Sequence, residues 1–87
     1  MIHQLKIQEA FAEAILRGEK TFEVRVNDRG FQKGDHVVFN VIDQAGNSVE
    51  HPLIGKEYKI SYVLSGWGIQ NGYVVFGIQE CCDCIPF

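Results

Sequence analysis

The sequence predicts an α+β, mostly-β domain: a small barrel of five or six largely antiparallel strands with one main helix near its N-terminus. Two observations predict it. Apolar residues recur at helical spacing only between about residues 8 and 17, while at least three other segments alternate at period two. The segments are joined by short turn-formers such as Asn27-Asp28-Arg29-Gly30 and Lys33-Gly34-Asp35. A small strand set with a single helix buries its apolar faces best when the sheet curls and the helix covers it.

Taken in order, residues 2–7 set Ile2, Gln4 and Lys6 against His3, Leu5 and Ile7, the pattern of a strand. Ile7, Phe11, Ala14 and Ile15 then fall on a helical stripe over residues 8–17. Alanines 10, 12 and 14 favour the helix, Arg17 suits its C-terminal dipole, and Gly18 stands at the C-cap position. Residues 20–27 form the second strand and 35–43 the third, with Val37, Phe39 and Val41 on one face. A hairpin loop over 44–48 leads to a fourth strand that starts near Val49, breaks at Pro52 and resumes from Lys56 to Leu64. The glycine-rich loop 65–72 precedes a last strand, 73–79.

Eighty-seven residues make one domain, residues 1–87, with 79–87 as a terminal tail. A chain of this length buries about 60–65% of its unfolded surface, so the core is small. Apolar runs of three or four residues exclude a membrane span, and the N-terminus lacks the basic and apolar regions of a signal peptide; the cytoplasm is the expected compartment. The net charge of −3 argues against a general nucleic-acid coat. The charge is uneven, however. Residues 17–33 carry five bases and three acids, a net +2, on an otherwise acidic body. Such a patch suits one phosphate or one nucleotide better than a long groove.

The most informative stretch is Gly18-Glu19-Lys20-Thr21-Phe22-Glu23-Val24-Arg25. In a strand, Phe22, Val24 and Val26 share one face, and Thr21, Glu23, Arg25 and Asn27 the other. Lys20, Glu23 and Arg25 then either pair with one another on a half-exposed strand or present a polar ligand with a planar fork, a point charge and an acceptor. Thr21 beside Lys20 reads as a lysine-activated hydroxyl or as an ordinary β-branched strand residue.

The spacing Gly-x-Lys-x-x-Glu-x-Arg is met by Gly18, Lys20, Glu23 and Arg25, between a short helix and a strand. With Asn27-Asp28-Arg29, Gly34-Asp35 and the closing strand Gly72–Ile78, it resembles the signature of the ASCH domain of the PUA-like superfamily. It is similar to a compact, uncharacterised group of bacterial and phage ASCH-like proteins, over about residues 3–79. The resemblance implies a PUA-like barrel with a cleft between helix and sheet, lined by the motif, and an RNA or nucleotide-like ligand. With the neighbouring strand and turn residues and the loop tryptophan added from the residue reading, the candidate ligand set is Lys20, Thr21, Glu23, Arg25, Asn27, Arg29 and Trp67. One ASCH branch is similar to amidohydrolases acting on N4-acetylcytidine through a lysine, a threonine and a glutamate. Only Lys20 matches that set. The threonine position holds Glu23, and the insertion that brings the glutamate is replaced by the short loop 65–72. The resemblance therefore points to a binding domain without a catalytic set. A small amidohydrolase and a protein-interaction or phage accessory domain are the alternatives.

Three remaining signals carry less. Gly66-x-Gly68-x-x-x-Gly72 misses the dinucleotide fingerprint in spacing and precedes a strand rather than a helix. Within it, Trp67 reads equally as a stacking platform for a base or as a plug at a barrel end. Cys81 and Cys84 have half-zinc-site spacing but no second cysteine pair, so neither a structural metal nor another cofactor is expected. His36 and His51 read as surface residues without a role.

Overall fold

The computed structural model describes residues 1–81. The elements are β1 (Ile2–Gln8), α1 (Glu9–Leu16), β2 (Phe22–Val26), β3 (His36–Ile42), β4 (Glu57–Leu64) and β5 (Tyr73–Glu80). The five strands form one sheet in the order β1-β3-β4-β5-β2, curled into a half-barrel. β1 runs parallel to β3, and the other neighbours are antiparallel. Among the described residues no helix is long and apolar enough to cross a membrane.

Alternation sets the inner face. His3, Leu5 and Ile7 of β1 and Val37, Phe39 and Val41 of β3 are buried, joined by Tyr58, Ile60, Val74, Phe76 and Ile78. Ala12 and Ile15 of α1 close the core from one side, with Phe31 and Leu53 contributed by loops. Burying these side chains supplies the stability that an eight-residue helix lacks on its own. The curl is sharpened in β4. Pairing passes from Ile60–Ile78 to Tyr62–Gly77, which leaves Ser61 as an extra residue. A side chain at position 77 would bring a Cβ within 2.6 Å of Ser61 Oγ, so glycine admits the bulge.

Two expectations change. The segment 49–55 is not the start of a strand. Only an isolated bridge joins Ile42 to Ser48, and the chain then turns, with the Leu53 amide donating to His51 Nδ1 at 3.1 Å and the Ile54 amide to the His51 carbonyl at 3.0 Å. Pro52 has no N–H to give a ladder, and burying Leu53 rewards the turn. His51 is also not a surface residue. Its side chain is packed inward, with Nε2 2.8 Å from Glu13 Oε2, which pins the turn to α1.

The helix end positions the cleft described next. Gly18 takes the left-handed conformation at φ +78°, and the amides of Gly18 and Lys20 donate to the carbonyls of Ile15 and Ala14. The chain therefore doubles back, and Lys20 returns alongside Phe11.

Candidate functional site: a cleft at the open seam

β1 and β2 are the two ends of the sheet and share no backbone ladder. Arginine side chains from the β2 side bridge them instead. Arg25 Nη2 donates to the Lys6 carbonyl at 2.8 Å, and Arg29 Nη1 donates to the Gln4 carbonyl at 2.7 Å. In β1 the odd-numbered residues face β3, as the bond from the His36 amide to the Met1 carbonyl requires, so the even-numbered carbonyls are the ones left for the arginines.

Beside this seam lies a cleft of about 530 Å³, within the range of small-ligand sites. Its floor is Lys20, Glu23 and Arg25, and its walls include Ile7, Phe11, Phe22 and Val24. Glu23 is only 3% exposed. It faces inward because β2 pairs with β5 in a register that sets Glu23 opposite the core residue Phe76. Both carboxylate oxygens are engaged: Oε2 accepts from Lys20 Nζ, and Oε1 accepts from Arg25 Nε at 2.9 Å. Among the described residues no buried side-chain nitrogen or oxygen lacks a partner. Lys20 also donates to the Phe22 carbonyl at 2.8 Å, and its ammonium lies 5.5 Å from the Phe11 ring centre and 5.3 Å from that of Phe22. Two cations against one carboxylate leave the floor with a net positive charge. The aromatic rings give it apolar flanks.

A second, smaller cleft of about 220 Å³ continues along the seam and shares Arg25. Leu5, Val26, Asp28, Arg29 and Phe31 complete its lining. Lys20, Arg25 and Arg29 therefore lie in a row along the open edge.

Residues 2–78 match the model of a family described as a domain of unknown function, DUF3850. The chain belongs to the DUF3850 family. No curated protein matches the sequence. The matched span takes in α1, all of β2 and every residue lining either seam cleft.

Within this DUF3850 domain, the seven residues singled out from sequence divide into two groups. Lys20, Glu23, Arg25 and Arg29 converge on the seam. Thr21 does not: it is exposed and lines a shallow groove on the outer side of the sheet, and its carbonyl accepts the Ile78 amide at 2.9 Å. Asn27 shapes the turn after β2, its Oδ1 accepting the Phe31 amide at 3.1 Å. Trp67 is 91% exposed on the β4–β5 loop, outside both clefts, with a left-handed φ of +55°. It is thus no barrel plug. Phe22, Val24 and Val26, the apolar row, are about half exposed, so the polar row is the one that turns inward.

The sequence reading missed Phe11 as a cleft wall. Its place on the helical stripe suggests core, but the stripe is wider than the sheet beneath it. Ala12 and Ile15 reach the core, while Phe11, half exposed, overhangs the cleft. The Lys6 and Gln4 carbonyls were invisible for a different reason: backbone acceptors leave no mark in a sequence.

Proposed function

We propose that the seam cleft binds a nucleotide or a short single-stranded RNA. The observation that carries this reading is the net-positive floor of Lys20, Glu23 and Arg25 set between the rings of Phe11 and Phe22. A nucleotide combines a flat apolar body with a compact anion. Base–aromatic stacking is worth about 1–3 kcal/mol per base, and guanidinium groups form charge-assisted bonds to phosphate. The row Lys20, Arg25, Arg29 offers a second and third phosphate contact to a strand lying along the seam. The resemblance to ASCH domains, with its PUA-like barrel, supports the same reading, and a cytoplasmic location would give the domain access to RNA. Exposed Trp67 is available to stack a base beyond the clefts.

Binding is preferred to hydrolysis on a specific observation. The residues lining the cleft are Lys6, Ile7, Gln8, Phe11, Lys20, Phe22, Glu23, Val24 and Arg25, a set with no hydroxyl or thiol nucleophile, and Thr21 lies outside it.

The test is titration of the pure protein with ribonucleotides and short single-stranded RNA, alongside incubation with N4-acetylcytidine. Affinity should be weak and salt-dependent, because few phosphates can be reached and the acidic body repels the rest. Arg25→Ala should weaken binding more than Lys33→Ala, which changes a turn residue. Release of cytidine, abolished by Lys20→Ala, would establish the amidohydrolase instead. Absence of binding to any nucleotide or RNA would leave the protein-interaction reading.

A further inference from the structure

At the starts of β3 and β4 and just past the end of β5, outside both seam clefts, three side chains of different chemistry meet. We propose that His36, Glu57 and Cys81 form a binding site for a borderline-soft divalent cation of the zinc class. The nearest ligand atoms of all three lie within 4.8 Å of one another. Cys81 Sγ is 3.7 Å from His36 Nδ1, and the Glu57 carboxylate is in direct contact with the same nitrogen.

That shared nitrogen decides between two readings. In a cysteine–histidine catalytic relay the ring bridges its partners, so that the thiol meets one nitrogen and the orienting acid the other. Here thiol and carboxylate crowd a single nitrogen, and no relay can run through the ring. Convergence of one nitrogen, one sulfur and one carboxylate oxygen on a common point is instead the arrangement of a metal site. These donor types suit zinc or cobalt rather than magnesium or calcium, which prefer oxygen alone.

The spacing agrees. Zinc bonds of about 2.3 Å to sulfur and 2.0–2.1 Å to nitrogen, at a tetrahedral angle, put the two ligand atoms about 3.6 Å apart. The observed sulfur–nitrogen separation of 3.7 Å needs almost no adjustment. The Glu57 carboxylate must swing from hydrogen-bond contact to about 3.4 Å from the ring nitrogen. It has room to do so, because the His36 and Glu57 side chains are 35% and 40% exposed. The backbone is held meanwhile, with the Cys81 amide donating to the Glu57 carbonyl at 2.9 Å. A groove lined by Gly55, Lys56, Glu57, Glu80 and Cys81 opens beside the cluster, so a fourth position would be reachable by water or a small ligand. The one cation lining this groove, Lys56, is paired with Glu80 at 2.9 Å.

The cysteine spacing offers only two ligands in sequence and predicts no structural zinc. Cys82 and Cys84 lie outside the described residues. The strands add two ligands that no linear motif displays, since 21 and 24 residues separate the three members.

The experiment is titration of the full, reduced chain with Co(II), read by its thiolate-to-cobalt charge-transfer band and by competition with Zn(II). One metal per chain is expected. Cys81→Ser should abolish the charge-transfer band, while a Cys82→Ser/Cys84→Ser double variant should keep it. His36→Ala and Glu57→Gln should each weaken binding by roughly 100-fold or more, since losing a direct ligand costs at least as much as losing an outer-shell partner. Circular dichroism would confirm that each variant is folded. No binding would overturn the proposal, as would a band that survives Cys81→Ser but vanishes in the double variant, or an affinity indifferent to His36 and Glu57.

Discussion

The two charged clusters of this domain solve opposite problems. At the seam, Glu23 is buried and both of its oxygens are saturated by Lys20 and Arg25. At the starts of β3 and β4, His36 and Glu57 are partly exposed, and their ligand atoms converge with that of Cys81 within 4.8 Å. Along the parallel β1–β3 pair, Lys6 to Gln8 stand opposite positions 40–42, four to six residues from His36, which at strand rise is about 13–20 Å. A saturated cluster is first a structural part, and the proposed ligand would meet only its spare N–H groups. A half-exposed meeting of nitrogen, oxygen and sulfur donors is the place where a cation of the proposed kind would sit. The difference lies in donor type and burial, not in how many charges are present.

The strongest way to break this comparison is to remove the central carboxylate. Glu23→Ala should cost about 3–5 kcal/mol in chemical denaturation, the range for breaking a buried ion pair by taking away one partner. A cost below about 1 kcal/mol would show that the cluster is an ordinary surface pair. Glu57→Ala, in the half-exposed cluster, should destabilise the chain far less.

Arg25→Lys sharpens the point at intermediate size. Lysine keeps the charge but cannot reach Glu23 and the Lys6 carbonyl together, as the guanidinium does. A loss of about 1.5–3 kcal/mol is expected, the worth of one charge-assisted hydrogen bond, together with weaker nucleotide binding. Retention of both by the lysine variant would mean that charge alone matters at the seam.

A third acid contrasts with both clusters. Asp35 accepts from His3 at 2.9 Å and from the Gln32 amide at 3.2 Å. The His3 hydrogen bond is the main cause that holds its carboxyl below the ordinary aspartate value, and the Gln32 amide, the N-terminal ammonium and the His3 charge add to it, against opposing desolvation. Its contribution to stability is therefore full above the unfolded carboxylate range and is lost as pH falls through the lower folded value. Asp35→Asn should make the chain less stable at neutral pH and flatten the decline in acid. An unchanged acid limb in a urea series across pH 2–6 would refute this.

The smallest effect belongs to Arg17 and Glu19. They are hydrogen-bonded at 3.0 Å, and each holds the other charged, Glu19 titrating lower and Arg17 higher than usual. Both side chains are more than half exposed, so Glu19→Gln should leave the denaturation midpoint where it is. Similar geometry at the seam and at the surface would then give opposite outcomes, with burial as the variable.

Much of this architecture was legible in the sequence. The helix and all five strands stand within about two residues of where spacing puts them, apart from the early start assigned to the fourth strand. The faces of β1 and β3 follow their alternation. β2 shows the limit. Period two divides Phe22, Val24 and Val26 from Glu23 and Arg25, but it does not say which row goes inside. The register with β5 decides that, and it turns the charged row inward. Thr21 and Asn27 share that row but lie just beyond the two ends of β2, and Trp67 stands on the β4–β5 loop, so none of them joins Lys20 and Arg25 in the cleft. His36, Glu57 and Cys81 were illegible because only cross-strand pairing makes them neighbours.

The arginine bridges carry one more consequence. A strand with a free edge is a template on which another chain can add a strand of its own, the first step toward fibrils. β1 is such a strand, and its outward carbonyls at Gln4 and Lys6 are occupied by guanidinium groups. The side chains that frame the cleft also blunt this edge. An Arg25→Ala/Arg29→Ala chain should then scatter light on storage at concentrations where the parent stays clear, and a ligand that pulled both arginines away from β1 would have to shield that edge itself.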